Sequence, residues 1–485
     1  MSGHALSWLI ASPLAGMLLL WLLPERWLRG AQLTVLLAVL AQALTVVAAF
    51  DAHGERFQLH ESALWLPGLN AYYRVAVDGL SVLFLPATAL LFLGALVVDW
   101  KAVRSSRRLY YSLQLSWLAA TLGLFCAVDT LLFFVFWELA LLPQYFLLGR
   151  FGCGTQAPRV AARYCLLMLA GGAALLLAFM LLAGQRPENG FDLLAWLAAP
   201  PERGVQWALF LLCLFGFGVK LPLVPLHTWL PQVALAAPGS QLAVLLGLKL
   251  GAYGLVRFAL PLAPEVAAQL HWLLAGLGTL ALLYGAVAML AQSNLRVALA
   301  YASISHVGLL LLGLATFTAA GVQGAVALLL SFVLTSGGAS LLLECLRQRC
   351  GSNDLQALGG AADSMPLLAA GFLVCLLAGA GMPGTSGFPG ELLLLLAALK
   401  SHTGAGMAAL FALSIAVAAF LQLYRKAFWG PALRSEVLQA EDLRPRERGL
   451  LLVLLLLLLV TGVYPAPWLD LLAPAAEAWA AGWTR

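Results

Sequence analysis

Charge is scarce in this sequence: Asp, Glu, Lys and Arg make up only 10% of 485 residues, against 62% hydrophobic residues. A chain so poor in charge cannot clothe itself in a hydrated surface, which excludes a water-soluble globular fold. Nucleotide and redox signatures are missing too. No G-x-G-x-x-G opens a helix after a strand and no P-loop occurs, so NADH or ATP chemistry would have to come from partners. The seven cysteines (Cys126, Cys153, Cys165, Cys213, Cys345, Cys350 and Cys375) show no C-x-x-C pairing. They read as small buried apolar residues, and neither cofactor nor metal is expected. The net charge of +5 comes with no continuous basic, aromatic-interleaved surface, so nucleic-acid binding is set aside.

What the chain has in abundance is long apolar runs. About fourteen are long enough for a helical span, near 5–23, 31–50, 76–98, 109–126, 130–149, 160–184, 205–230, 238–260, 267–290, 297–315, 322–345, 366–399, 404–428 and 449–470. The expected fold is therefore an all-α polytopic membrane protein, its first run a retained span. Cationic clusters at Lys101/Arg104/Arg107/Arg108, Arg150/Arg159/Arg163, Arg347/Arg349 and Arg425/Lys426 fall in the odd-numbered loops. Arg56, Arg74, Arg186, Arg203, Arg257, Lys400 and Arg485 fall on or near the other side. That imbalance orients the odd loops to the cytoplasm.

Two spans are broken. KLPLVPLHTWLPQ (220–232) carries Pro222, Pro225 and Pro231, and GAGMPGTSGFPGE (379–391) carries Pro383, Pro389 and five spaced glycines. Proline removes an intrahelical donor, and non-helical backbone at membrane depth persists only where protein shields it or water reaches it. The breaks fall in the seventh and twelfth spans, five apart, which predicts two inverted five-helix repeats. A single membrane domain (1–485) then divides into spans 1–3 (1–108), a first repeat of spans 4–8 (109–260), a second of spans 9–13 (261–430), and a C-terminal loop with span 14 (431–485). Loops near 51–74, 185–204 and 431–448 are the only long connections.

An ionisable side chain mid-span costs on the order of 2.5–3.5 kcal/mol on insertion scales. Four such groups stand out: Glu138 in LLFFVFWELALLPQYFLLG, Lys220 closing the first half of the seventh span, Lys249 in LAVLLGLKLGAYGL, and Glu391 after the second break. In one reading they form a chain of protonatable sites in which Glu138, paired with Lys220, loads or releases a proton on the lysine. Burial lowers an ammonium pKa and a neighbouring carboxylate raises it, and lysine, unlike arginine, can be brought toward neutrality. In the other reading they are ion pairs gluing helices. His227 and His306 are either relays, since imidazole both donates and accepts, or packing residues. Asp78 and Asp129 read as charges near helix N-termini at the interface.

VDGLSVLF (77–84), FFVFWELALLPQYFLLGRFG (133–152), VKLPLVPLHTWLPQ (219–232), LKLGAYGLVRF (248–258), AYASISHVG (300–308) and GMPGTSGFPGE (381–391) together resemble the antiporter-like subunits of respiratory complex I. The resemblance runs in unbroken order from about residue 70 to 430. The glutamate at the second break is similar to the M-type subunit, where related subunits and Mrp cation/proton antiporters usually carry lysine. The resemblance implies a fourteen-helix fold and a hydrated axis of charged residues. Glu138 and Lys220 match its regulatory pair, Lys249 its central site and Glu391 its terminal site. The chain departs from the pattern at Gln232 and Ala234, where aspartate and a second histidine are usual, at Phe332, where a histidine is expected, and at Asn294 and Arg296.

The implied function is a proton-translocating subunit of a complex I-type NADH:quinone oxidoreductase, a translocase component without redox centres of its own. Its partners would be other membrane subunits, including related antiporter-like ones, with the peripheral redox arm indirectly, all in a cell's inner (plasma) membrane. A second reading is the ion-translocating subunit of a smaller system: a membrane-bound hydrogenase, an inorganic-carbon uptake complex or a cation/proton antiporter. A third is an inert spacer.

Overall fold

The computed structural model describes residues 3–103 and 105–483; Arg104 and Arg485 of the charge assignment above lie outside the described residues. The long helices in chain order are α1 (Ala5–Leu22), α2 (Leu28–Ala49), α3 (Phe84–Asp99), α4 (Arg107–Cys126), α5 (Thr130–Phe151), α6 (Ala157–Gln185), α7 (Arg203–Lys220), α8 (Trp229–Ala236) and α9 (Gly239–Leu262). They continue with α10 (His271–Leu290), α11 (Leu295–Leu314), α12 (Ala319–Cys350), α13 (Pro366–Gly379), α14 (Gly387–Ser401), α15 (Thr403–Phe428), α16 (Pro445–Val463) and α17 (Ala466–Ala481).

Among the described residues eleven helices are long and apolar enough to cross a membrane, and α16 with α17, bent by 64°, would make a twelfth. The chain is a multi-pass membrane protein. The expected count of about fourteen is not reached on that measure. Helices α3 and α13 occupy two of the expected positions but are shorter. A turn at Asp78, whose carbonyl accepts from Ser81 and Val82 N–H, takes up the start of the third run, and glycine-rich backbone stops α13 at Gly379.

One segment departs from the helical class. The loop expected over 51–74 contains an antiparallel hairpin, β1 (Gln58–Leu66) and β2 (Ala71–Val77), in register Ser62↔Arg74 and Ala63↔Tyr73. Its aromatic and β-branched residues suit a pleated strand, and Pro67, Gly68 and a left-handed Asn70 make the turn. Asn70 Nδ2 donates to the carbonyls of Pro187 and Glu188 at 3.1 Å, and Arg74 pairs with Asp192 at 2.7 Å, tying the hairpin to the loop before α7.

Helices α9 and α11 are the most enclosed, each 94% buried, whereas α1, α2 and α15 turn most of their length outward. Large apolar side chains such as Trp8, Leu18, Trp272, Phe411 and Leu452 face out, the arrangement lipid requires rather than water.

Candidate functional site

The two expected breaks are present. Helix α7 ends on Lys220, a single 3-10 turn (Leu226–Thr228) follows, and α8 restarts with Pro231 in its first turn, where a missing N–H does no harm. The freed Val219 carbonyl accepts from Trp229 Nε1 at 2.8 Å, so the helix end is satisfied within the protein. At the second break Gly381 and Gly384 take positive φ of 69° and 83°. A Cβ at Gly381 would run into the Glu391 carboxylate, so glycine there admits the charge as well as the turn.

Two further interruptions coincide with the remaining charges. Helix α9 is broken at Leu248 and Lys249, both outside helical geometry, before it resumes at Leu250. Helix α5 has a one-residue turn at Ala140, beside Glu138, where Pro143 cannot donate to the Leu139 carbonyl four residues back. Each of the four charges singled out from sequence thus lies at or within a few residues of a place where its helix is interrupted.

Their immediate contacts are sparse. Lys220 Nζ donates to the Trp137 carbonyl at 3.4 Å and sits 3.8 Å from the centroid of the Trp137 ring, a cation–π contact. It therefore stands on the turn of α5 that carries Glu138, and each of the two lies in the other's electrostatic field. The carboxylate of Glu138 instead lies against Gly172 of α6, and its buried Oε1 has no hydrogen-bond partner. The pair is near but not in contact.

A cavity of about 20 Å³ opens beside Lys220, lined by Trp117, Gln144, Trp229 and the Leu248–Leu250 break. That is room for roughly one water. Lys249 Nζ donates to Ser303 Oγ of α11. Its ammonium also lies 5.2 Å from the Phe332 ring centroid. One turn along α11 from Ser303, His306 packs its ring 5.4 Å from Phe332 on centroids. Nε2 of His306 bonds the Gly379 carbonyl, left over at the end of α13, at 2.6 Å and lies 3.5 Å from Glu391 Oε1. Donation from Nε2 to that carbonyl leaves Nδ1 as the free acceptor, and Nδ1 is buried and unpartnered.

Site residues expected from the sequence thus fall into a line, Glu138 and Lys220, Lys249 with Ser303, then His306 with Glu391. His227 is placed differently. It bonds Tyr284 Oη at 3.2 Å and stacks edge-on against that ring, pointing to α10 and away from the line. Where the usual polar residues are replaced, Ala234 is fully buried, and Arg296 donates to the Ala237 carbonyl between α8 and α9.

Several buried charges escaped the sequence reading. Asp78, expected at an interface, and Arg257, expected near the other side, form a fully buried bidentate pair at 2.5 and 2.6 Å. Asp99 bonds Tyr110, whose hydroxyl lies 2.9 Å from Ser240 Oγ. Glu344 takes the Gly239 N–H at 3.1 Å and pairs with Arg347 at 2.5 Å. The available signal was an ionisable residue inside an apolar run, VVDW, LLLECL or GLVRFAL, each too near a helix end to be distinguished from an interfacial charge.

Residues 127–416 match the family described as NADH:quinone oxidoreductase/Mrp antiporter, TM. NADH-quinone oxidoreductase subunit M of Pseudomonas aeruginosa is 33% identical over 96% of both chains, and that of Rickettsia conorii 31% over 91% of both. A chain of respiratory complex I from Thermus thermophilus superposes with a TM-score of 0.91 at 33% identity, covering 99% of each chain. A chain of the Mrp complex from Dietzia shares the fold, with a TM-score of 0.86 at 24% identity.

Proposed function

The chain belongs to the NADH:quinone oxidoreductase/Mrp antiporter membrane family, and from that premise we propose that its line of interrupted-helix charges carries protons. It is the M-type, antiporter-like subunit of a complex I-type NADH:quinone oxidoreductase, seated in a bacterial inner membrane beside other antiporter-like subunits. The redox reaction belongs to the peripheral arm, and the contribution of this subunit is coupling.

One observation supports this reading above the others: all four charges are buried or half-buried at interrupted helices, and none is saturated by hydrogen bonds. Non-helical backbone at membrane depth persists only where protein shields it or it lines a watery cavity, and an unsaturated charge beside it can exchange its partner. Glu138 and Lys220, near but apart, are the loading pair. Lys249 is the central site, and His306 with Glu391 the terminal one. We place the two inverted repeats at 109–260 and 261–430, so that each contributes one proline-bearing break to the line.

Reconstituted complexes carrying Glu138→Gln or Lys220→Ala test this. Proton uptake per electron falls while NADH oxidation by the assembled peripheral arm continues. Full stoichiometry in both variants would reject the axis. Purification in gentle detergent recovers the NADH arm and other antiporter-like subunits; recovery of one or two unrelated soluble partners would instead assign the chain to a smaller ion-moving complex.

A further inference from the structure

Phe332 lies beside both Lys249 and His306, and among the described residues no side-chain hydrogen bond joins those two groups. The Lys249 ammonium lies 5.2 Å from its ring centroid and the His306 ring 5.4 Å on centroids. Phe332 is 1% exposed, and its neighbours Lys249 and His306 are 6% and 4% exposed. The ammonium is held by Ser303 and the imidazole by the Gly379 carbonyl, so neither bonds the other beside the ring they share.

Two features of α12 bear on whether that ring can leave. Phe332 is the last residue of regular α-helix before a π-turn, Val333–Gly337, and Gly338 follows. A π-turn widens the helix and weakens the constraint on the residues at its edge. Behind the same turn, an apolar crevice of about 380 Å³ lies between α2, α3, α12 and α16, lined by Leu330, Ser331, Val333 and Leu334 of α12. The turn next to Phe332 therefore borders an apolar crevice on the side of α2, α3 and α16.

We propose that Phe332 is a movable dry partition in the charge axis: in place it separates Lys249 and Ser303 from His306 and Glu391, and rotation of the π-turn toward the crevice joins them. This rests on the reading of the axis as a proton path. An apolar ring breaks a water or hydrogen-bond chain, so a proton on Lys249 has no continuous route to His306 Nδ1 until the ring moves. The partition prevents back-flow between strokes.

The test uses the whole complex in proteoliposomes, with two readouts: passive proton leak under an imposed pH gradient without NADH, and protons moved per electron with it. Phe332→Ala raises the leak at least about tenfold, equivalent to removing a barrier of about 1.4 kcal/mol. Phe332→Gln, which keeps much of the side-chain bulk and adds a polar group that can hold a water chain, raises it too, while Phe332→Leu, apolar and bulky, leaves it near the native level. The glutamine variant carries the test if the alanine variant fails to assemble. Native leak in both the alanine and glutamine variants would overturn the partition. Lys249→Ala, measured alongside, separates the two ideas. If it abolishes pumping while the Phe332 variants behave as native, the axis stands and the partition falls; if it leaves pumping unchanged, the axis itself falls.

Discussion

Two sets of charges are buried in the same apolar bundle and are treated oppositely. Asp78 and Arg257 are saturated: two guanidinium–carboxylate bonds, a bond from Arg257 Nε to Tyr253 Oη at 3.1 Å, and the Leu80 N–H on Asp78 Oδ1 at 3.1 Å. Tyr253 in turn donates to the Phe125 carbonyl. Along the line, by contrast, Lys220 has one long carbonyl contact and an aromatic face, Lys249 one hydroxyl, and Glu138 and Glu391 each have a bare oxygen. Saturation separates the two roles. Arginine does not give up its proton and a fully bonded carboxylate has nowhere to receive one, so the first set can only hold structure. An under-bonded lysine or glutamate keeps a proton exchangeable at the cost of some stability.

Breaking the saturated set has the largest expected effect. Arg257→Leu strands Asp78 without its partner, a loss of about 3–5 kcal/mol. Helix α9 and the hairpin should come apart, seen as failure to recover the folded subunit from membranes. A variant recovered in native amount would show that saturation does not mark a structural pair.

Next comes Glu391→Gln, which reverses the pattern. It removes a charge whose Oε1 makes no hydrogen bond, so thermal stability should be unchanged or slightly raised, while protons per electron fall. Stability loss comparable to that of Arg257→Leu, with pumping retained, would place Glu391 among the structural charges.

The difference between the two sets was only partly legible in the sequence. Apolar runs located the interruptions between α7 and α8 and between α13 and α14 because proline and closely spaced glycines act locally. The interruption at Lys249 left no proline to mark it: GLKLG contains none, yet Leu248 and Lys249 leave helical geometry. The hairpin was hidden inside a polar-looking loop, since β1 exposes most of its side chains and its pairing partner begins only at Ala71. For the charges, sequence singled out which residues carry unusual cost but not who satisfies them. Asp78 and Arg257 lie 179 residues apart, a contact that periodicity cannot reveal. Glu138 and Lys220 were expected as a pair, and only the fold shows Trp137 set against the lysine and Gly172 against the carboxylate.

Gly172 offers a smaller, purely steric test. A Cβ there would collide with the Glu138 carboxylate, so Gly172→Ala pushes the charge aside without altering any ionisable group. Overpacking costs about 1–3 kcal/mol at worst, relieved in part because a carboxylate can rotate. Pumping should drop about two- to fivefold, a barrier change of up to roughly 1 kcal/mol, with Glu138 still present. An unaffected rate would mean that the position of Glu138, as distinct from its charge, is not what loads Lys220.

The smallest effect is expected at His227, because its ring leads off the line. Nε2 bonds Tyr284, which is 38% exposed on α10, and Nδ1 is buried without a partner, so the side chain connects to the outer face of the bundle and not to Lys220 or Lys249. His227→Phe keeps the ring packing against Tyr284 and forfeits one hydrogen bond, about 0.5–1.5 kcal/mol. Proton uptake per electron should stay within about twofold of native, since no step along the line uses the imidazole. If His227→Phe instead stops pumping as fully as Glu391→Gln, the unpartnered Nδ1 belongs with the exchangeable groups. The line then has a lateral opening through Tyr284 toward the neighbouring subunit or the lipid, and an unsaturated nitrogen at the rim would have to be counted as machinery.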